Sequence, residues 1–546
     1  MAEEMKKHFD KLLNPQLQSE QPQPTQTTEQ EMTEPSIEEI RSTIKQLKNN
    51  KAPGENAIVA ELLKAGGLSL ETEIHRLITT IWKTEKIPER WNKAVIGPIF
   101  KKGDKTKTTN YRGISLLDVG YKILTTILHT RIQPYAEEII SENQCGFRKG
   151  KSKINHIFTV KQILEKNWEY NKTSHLILVD FKQAYDSVDR SRLWPTLVQL
   201  GIPIKYVRLI QMCYQDTQCK VRFQNEESTK FLVKNGLRQG DPLAPTLFNL
   251  ALEAIMRQSD TTNTPDFNSP DDTTTLAFAD DVVMISQSRN KLVEKCADFL
   301  GAAKQMGLLV NEEKTKYMCV TRQKRRTVDS TIPVNNYRFQ EVESFKYLGV
   351  TLDNVNHTHK ELEERMACAN RRYFWILPIL KSKNISHKSK ITHYKTYLRP
   401  VLTYACETWT LTEGDRQKLG RFERKILRKI YGPILNANEQ RFERRRREEL
   451  ESLYAEPNIL SYVRSRRIEW IGHVRRATDS IMYRATFQQR EGRRPRGRPR
   501  TRYVDSIKED MARIDTQATI DHALDGEGWK ELVMKAKVFN GPLSLD

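Results

Sequence analysis

Residues 276–286 read LAFADDVVMIS and place two adjacent aspartates, Asp280 and Asp281, between two short apolar runs. Because Asp disfavours strands and favours turns, the pattern predicts a β-hairpin with both carboxylates at its tip. Two carboxylates held together repel each other and raise each other's pKa unless a cation neutralises them. A solvated turn is the ordinary explanation of a lone Asp-Asp pair, so a metal site requires a matching acid elsewhere in the chain.

A matching acid lies 100 residues upstream. Asp180 ends the apolar run 176–179 in HLILVDFKQAYDSVDR, just before helix-like sequence begins. An Asp at a strand end beside the hairpin would bring three carboxylates together, and oxygen ligands suit Mg²⁺. Two such ions can clamp the attacking and leaving oxygens of a phosphoryl transfer.

Five ordered blocks then carry a resemblance. They are LVDFKQAYD around Asp180, NGLRQGDPLAPTLFNLALE at 235–253, FADD around Asp280, GLLVNEEKTK at 307–316 and FKYLGVTL at 345–352. This order is similar to that of reverse transcriptases, most closely those of non-long-terminal-repeat (LINE-like) retrotransposons. The resemblance implies an RNA-directed DNA polymerase that takes an RNA template, a DNA primer and deoxynucleoside triphosphates. It assigns the metal and catalytic roles to Asp180, Asp280 and Asp281, with two Mg²⁺ ions, or Mn²⁺ in their place.

The same resemblance implies a nucleotide pocket. Tyr185 falls where the family keeps an aromatic steric gate against the ribose 2′-OH, although an ordinary core tyrosine also fits. Gln239 and Gly240 fall in the block that lines the nascent base pair, where Gly allows close backbone approach. Asp186 is expected to order the local turn and not to bind metal.

Basic residues and a positioning element complete the expected site. Arg112 and Arg148 are the candidates for the triphosphate, because guanidinium matches phosphate oxygens in bidentate fashion; template contact or solvated charge is the alternative for both. Lys314 matches a family lysine suggested to help pyrophosphate leave. The block 345–349 resembles the primer grip, with Tyr347, Leu348 and Gly349 expected to contact nucleic acid.

The expected fold is α+β, a right-hand polymerase of fingers, palm and thumb with an antiparallel palm sheet, followed by a basic, mainly helical region. The reverse transcriptase domain as a whole is expected at about 80–355. Residues 14–35 are rich in Gln, Pro and Thr, which is typical of a linker. The expected divisions are a disordered linker or tail at 1–35, an N-terminal extension with fingers at 36–150, the palm at 151–355, a helical thumb at 356–435 and an arginine-rich nucleic-acid-binding region at 436–546.

Two regions after the palm carry further expectations. The thumb aromatics Tyr373, Phe374 and Trp375 are expected in a helix core. Residues 441–502 contain 18 arginines against 8 acids, a net charge of +10. Within them GRRPRGRPRTR (492–502) resembles an AT-hook, in which Arg496 and Arg498 would enter an A·T-rich minor groove. A nonspecific basic tail or a nuclear-import signal fits the same segment.

Composition bounds the partners. A net charge of +21 predicts a polyanionic partner. No apolar run is long enough for a membrane span, and the seven cysteines lack paired zinc spacing, so neither a membrane nor a zinc site is expected. The resemblance implies an intracellular protein that acts in the nucleus after a cytoplasmic ribonucleoprotein stage. No endonuclease domain is recognised in the sequence, and the oligomeric state is left open.

Two alternatives remain. One is a catalytically decayed, element-derived nucleic-acid-binding protein, against which the intact aspartates and Gln239 argue. The other is a viral RNA polymerase, which shares the palm. Those polymerases usually carry Gly before the paired aspartates and lack an aromatic gate, whereas this chain has Ala279 and Tyr185.

Overall fold

The computed structural model describes residues 1–14, 32–224, 226–261, 267, 269, 272–323, 331–436, 440–492, 494–495 and 500–538. Within them the α-helices are α1 (Ala2–Leu13), α2 (Ile37–Gln46), α3 (Ala60–Ala65), α4 (Gly67–Thr84), α5 (Val119–Ile139), α6 (Lys153–Glu169), α7 (Ala184–Ser187), α8 (Arg190–Gln199), α9 (Ile204–Tyr214), α10 (Ala244–Gln258), α11 (Arg289–Gln305), α12 (Thr358–Lys381), α13 (His387–His393), α14 (Arg399–Leu402), α15 (Glu413–Tyr431), α16 (Arg447–Tyr454), α17 (Ile459–Arg476), α18 (Ile481–Phe487), α19 (Tyr503–Ala512) and α20 (Gly526–Val538). The strands are β1 (Lys93–Phe100), β2 (Tyr111–Leu116), β3 (Ser174–Val179), β4 (Thr217–Phe223), β5 (Glu226–Glu227), β6 (Phe231–Val233), β7 (Thr273–Phe278), β8 (Asp281–Ser286), β9 (Lys316–Val320), β10 (Thr331–Val334), β11 (Tyr337–Glu341), β12 (Ser344–Tyr347), β13 (Val350–Asp353), β14 (Ile434–Asn436) and β15 (Arg441–Glu443).

The palm sheet has the strand order β10-β11-β9-β3-β8-β7. β3 lies in the middle, antiparallel to β8 on one side and to β9 on the other. Alternate residues of a strand face opposite sides of a sheet. Ile177 and Val179 therefore join one apolar cluster with α11, while Leu176 and Leu178 join another with α6. The predicted α+β fold with an antiparallel palm sheet is confirmed, except that β9 and β11 form a parallel pair.

A second sheet has the order β2-β1-β4-β5, with β6 also paired to β4. β1 and β2 are antiparallel, whereas β1 and β4 are parallel. This sheet meets the block 235–240 through one backbone hydrogen bond, in which Ser115 N donates to Gln239 O at 2.8 Å. The contact sets β2 beside the expected nucleotide pocket.

The N-terminal residues do not all form a disordered tail, and the expectation for 1–35 is wrong for its first part. Residues 2–13 form α1, whose apolar face of Met5, Phe9 and Leu13 is buried in the main hydrophobic core. The polar composition of this segment concealed the face, since Glu, Lys, His and Asp lie between the apolar positions. Residues 15–31 lie outside the described part of the chain.

The helices after the palm pack around a core of their own, which includes Tyr373, Ile376 and Leu380 of α12. The expectation of a helix core holds for Tyr373 and is wrong for its two neighbours. Phe374 is 64% exposed and Trp375 is 87% exposed. Positions 373, 376 and 380 share one face of a helix, and the other two aromatics fall on the opposite side.

The C-terminal helices pack against α6 on the side away from the palm sheet. Phe158 of α6 lies in one apolar cluster with α17, α19 and α20. Tyr503 at the start of α19 donates its backbone N–H to Glu165 Oε2 at 3.0 Å and its hydroxyl to Glu407 O at 2.7 Å. Among the arginines of this basic region, buried Arg467 donates to Asp510 at 2.5 Å. Much of the region is therefore folded protein, and Arg496 and Arg498 lie outside the described residues. None of the described helices combines the length and apolar character that crossing a bilayer requires.

Candidate active site

Strand pairing brings the two acidic motifs together. β3 and β8 run antiparallel with Val179 opposite Val282, so Asp180 leaves β3 at the same sheet edge where Asp281 begins β8. Asp280 occupies the β7–β8 turn next to Ala279, whose φ is +54°. The hairpin predicted from LAFADDVVMIS is thus formed, and Asp180 flanks it as expected.

Negative charge is concentrated at this edge and is offset only in part, by Lys314. Burial raises the pKa of Asp281 to about 6, and repulsion from Asp280 and Asp180 adds to the effect. Asp180 Oδ2 accepts no hydrogen bond and lies 3.4 Å from Lys314 Nζ. The donor set fits a hard divalent cation, because three carboxylates supply oxygen ligands whose mutual repulsion the ion would offset. These side chains are not already converged, since no group of three acidic, histidine or cysteine ligands is found among the described residues.

Tyr185 lies near Asp280 and Arg112, both of which affect the pKa of its phenol. Its ring stacks on Phe248 with centroids 4.5 Å apart and planes inclined by 19°. The buried hydroxyl has no hydrogen-bond partner. Burial and the charge of Asp280 raise the pKa of Tyr185, while Arg112 lowers it. The phenol of Tyr185 is therefore uncharged, and stacking on Phe248 holds it near Asp280.

Gln239 is engaged within the protein. Its Nε2 donates to both carboxylate oxygens of Asp186, at 2.9 and 2.8 Å. Its neighbour Gly240 has a φ of +119°, and a Cβ there would lie 2.8 Å from Ser115 O, so Gly is required. The Asp186 side chain thus joins α7 to the distant turn that contains Gln239, whereas the sequence predicted that it orders only its local turn.

Three cations lie near the acidic residues: Lys314 Nζ is 3.4 Å from Asp180 Oδ2, and the charges of Lys101 and Arg112 act against the rise that burial causes in the pKa of Asp186. Arg112 projects from β2 and is exposed. Lys101, just after β1, was not among the candidates predicted from sequence. Partial burial lowers its pKa, as do Arg112 and Lys314, while Asp186 and Asp280 raise it. The sequence signal that could have identified Lys101 is the Lys-Lys pair directly after β1, just beyond the Phe100–Tyr111 pair at the end of the β1–β2 register.

Arg148 does not join this group, and its expected triphosphate role is not supported. Its side chain is 5% exposed and pairs with Glu137 at 2.9 Å. Its Nη1 donates to Ser141 O at 2.6 Å and to Gln144 O at 2.9 Å. Because most N–H donors of this guanidinium are bound within the protein, Arg148 fixes the turn after α5. Few of its donors remain available for hydrogen bonds to a phosphate.

The hairpin β12–β13 lies next to Asp281. Its turn contains Leu348 and Gly349, with φ of +47° and +88°. Tyr404 donates its hydroxyl to Leu348 O at 2.8 Å, and Arg365 donates to Gly349 O. Tyr347 is buried, which raises its pKa, and the charge of Asp281 raises it further. The residues expected in a primer grip thus lie near Asp281, but Tyr347 and Leu348 are buried, so the structure does not support the expected contact of their side chains with nucleic acid.

Comparison with known proteins agrees with this geometry. Residues 99–352 match the model of the reverse transcriptase (RNA-dependent DNA polymerase) family. The chain is similar to a probable RNA-directed DNA polymerase from transposon X-element of Drosophila melanogaster, at 26% identity over 72% of this chain and 44% of that protein. It is also similar to the transposon TX1 uncharacterized 149 kDa protein of Xenopus laevis, at 26% identity over 60% of this chain and 25% of that protein. A third relative, a probable RNA-directed DNA polymerase from transposon BS of Drosophila melanogaster, is 23% identical over 72% of this chain and 44% of its own length. The chain spans less than half the length of these relatives.

Proposed function

We propose that the reverse transcriptase domain formed by residues 99–352 makes this chain an RNA-directed DNA polymerase of a non-long-terminal-repeat retrotransposon. It would extend a DNA primer on an RNA template with deoxynucleoside triphosphates. DNA synthesis would take place in the nucleus, after a ribonucleoprotein stage in the cytoplasm. The observation that carries the proposal is the β3–β8 register, which sets Asp180 beside the Asp280–Asp281 turn.

The carboxylate edge supports a phosphoryl-transfer role. Reverse transcriptases use divalent metal ions, and we assign two Mg²⁺ ions to Asp180 and Asp280, with Asp281 contributing less directly. When bound, these ions supply neutralisation of charge on the primer 3′-oxygen and the triphosphate. The protein's part is to hold the backbones of three aspartates at one sheet edge, from which their side chains would converge on the ions when these bind.

The basic residues near the carboxylates support nucleotide binding. Lys101, Arg112 and Lys314 present positive charge toward the carboxylates, which suits the triphosphate and the departing pyrophosphate. Tyr185 offers a ring with no internal bond to its hydroxyl, where a 2′-OH would collide. The β12–β13 hairpin would position the primer end beside Asp281.

Primer extension tests the proposal. Purified protein is incubated with poly(rA)/oligo(dT), dTTP and Mg²⁺, and Asp280→Asn serves as the matched control because Asn keeps the size and loses the charge. We expect extension products from the parent and none from the variant. Binding of RNA without extension by the parent would favour the decayed, nucleic-acid-binding alternative.

A further inference from the structure

The N-terminal helix α1 is joined to the polymerase by a stretch of 17 residues, 15–31, that is rich in Gln, Pro and Thr. Despite that linker, α1 packs into a groove between β4, β6 and the short helix α7. Phe9 is 3% exposed and Leu13 is 9% exposed. Because α1 is buried this deeply although a long polar stretch joins it to the rest of the chain, we infer that the domain has a specific docking site for α1.

The docking site touches the nucleotide pocket directly. A Cβ on Gly113 would lie 2.9 Å from the Phe9 ring, so Gly at this position makes room for α1. Gly113 follows Arg112 on β2. A small cavity of about 30 Å³, room for about one water molecule, is lined by Phe9 and Leu13 together with Asp186 and Gln239.

The end of α1 is tied to the chain that leads into Gln239. Asn235 N donates to Leu13 O at 3.0 Å. The Asn14 side chain donates to Leu232 O at 2.6 Å and accepts from Lys234 N at 2.9 Å. Three hydrogen bonds therefore fix residues 232–235 to the C-terminal end of α1.

From residue 235 the restraint continues into the pocket. Gly236 N donates to Val188 O at 2.8 Å, and Leu237 N donates to Tyr185 O at 2.7 Å. Gln239 then holds Asp186 through its amide. A displacement of α1 would thus move the segment 234–239, which ends at Gln239, and with it the backbone of Tyr185.

We propose that α1 is a positioning element of the nucleotide pocket, with Phe9 and Asn14 as its positioning residues. Resting on the proposed polymerase function, this inference assigns α1 to deoxynucleotide affinity and not to the carboxylate chemistry. Asn14 holds residues 232–235 in place. Phe9 packs against Gly113 and so fixes the position of β2, from which Arg112 projects. The Asp180–Asp280 edge lies on the palm sheet, which α1 does not join.

The test uses the full chain with Asn14→Ala and Phe9→Ala, and with Lys11→Ala as the matched control, because Lys11 is on α1 and exposed. Steady-state primer extension gives KM for dTTP and kcat, fluorescence anisotropy gives affinity for the primer–template, and a thermal melt reports folding. Asn14→Ala removes the side-chain bonds to Leu232 and Lys234, together with one to Asp10 within the N-terminal segment, and should raise KM about three- to tenfold. The kcat, the primer–template affinity and the melting temperature should stay close to those of the parent and of Lys11→Ala.

An unchanged KM in Asn14→Ala would overturn the inference while leaving the polymerase proposal standing. So would an equal loss of kcat, template affinity and melting temperature, since that is what a purely structural helix produces. Phe9→Ala tests the inference only if its melting temperature lies within a few degrees of that of the parent. If Phe9→Ala is less stable than this, Asn14→Ala decides the test, because it removes no core side chain. A parent that extends no primer would overturn the proposed function and the inference together.

Discussion

Gln239 donates two hydrogen bonds from one amide nitrogen to both carboxylate oxygens of Asp186, at 2.9 and 2.8 Å. Burial raises the pKa of Asp186 to about 6, and Gln239, Arg112 and Lys101 act in the opposite direction. The neutral amide stabilises the carboxylate only partly, so the effect of burial is larger and the net change in the pKa of Asp186 is upward. Asp186 therefore gains a proton more readily in the folded protein than in the unfolded chain.

This relationship predicts a pH dependence of stability. A carboxyl whose folded pKa lies above its unfolded value makes folding less favourable as pH rises between the two, here from about 4 to about 6. The loss is up to roughly 3 kcal/mol for a shift of this size. Asp186→Asn, which keeps an acceptor for Gln239, should flatten that part of the curve in thermal melts without metal. Parallel curves for variant and parent would contradict the assignment.

Replacing a carboxylate of the sheet edge should stop synthesis and spare binding. Asp180→Asn or Asp280→Asn removes an oxygen ligand and leaves the basic surface intact. We expect no extension products, RNA affinity within about threefold of the parent, and a milder defect for Asp281→Asn. Gel-based extension and anisotropy measure the two properties. Full extension by Asp280→Asn would remove these residues from the chemistry.

Two substitutions of Tyr185 separate the contribution of its ring to sugar selection from that of its hydroxyl. Tyr185→Ala should raise ribonucleotide over deoxynucleotide incorporation at least about tenfold, equivalent to roughly 1.4 kcal/mol of lost discrimination. Tyr185→Phe should discriminate like the parent, because the hydroxyl has no partner to lose. Single-nucleotide insertion kinetics give both ratios. If the Ala variant keeps the parent ratio, Tyr185 is a packing residue against Phe248.

Two arginines that look alike in sequence should behave differently. Arg112→Ala should raise KM for the triphosphate about tenfold or more, since charged hydrogen bonds to phosphate are strong, and leave the melting temperature unchanged. Arg148→Ala should lower the melting temperature, because it leaves Glu137 and two carbonyl groups without their buried partner. The reverse pattern would return Arg148 to the substrate site.

The C-terminal helices should be needed for a stable palm. Ile507 is fully buried in the cluster that contains Phe158 of α6. Ile507→Ala should cost about 2 to 4 kcal/mol and lower the temperature at which extension activity is lost. Leu524→Ala, at a position 59% exposed, is the control and should change neither. An unaltered inactivation temperature in Ile507→Ala would show that the palm folds independently of these helices.

Sequence predicted the parts of the site that local chemistry determines. An Asp after an apolar strand and an Asp-Asp turn between two apolar runs specify a strand end and a hairpin almost by themselves, and both formed around Asp180 and Asp280. The α+β polymerase fold followed from the order of the blocks. The core position predicted for Tyr373 is correct because this aromatic residue lies on the apolar face of its helix.

The failures share one physical cause, which is dependence on distant partners. α1 is a strongly polar segment whose short apolar face is recognisable only once β4 and β6 provide its groove. Arg148 differs from Arg112 only through Glu137 and the carbonyls of Ser141 and Gln144. Phe374 and Trp375 have the composition of a core, yet α12 turns them away from it.

The placement of α6 also has a consequence for synthesis of the chain on the ribosome. Glu165 and the Tyr503 that covers it are 338 positions apart. At roughly 5 to 20 residues per second, α6 waits about 17 to 70 s for its outer partners to emerge. During that interval an apolar helix face is open to chaperones and to neighbouring nascent chains. A premature stop codon before α17 would remove every one of these outer partners, so we expect a nonsense mutation far from the aspartates to destabilise the palm.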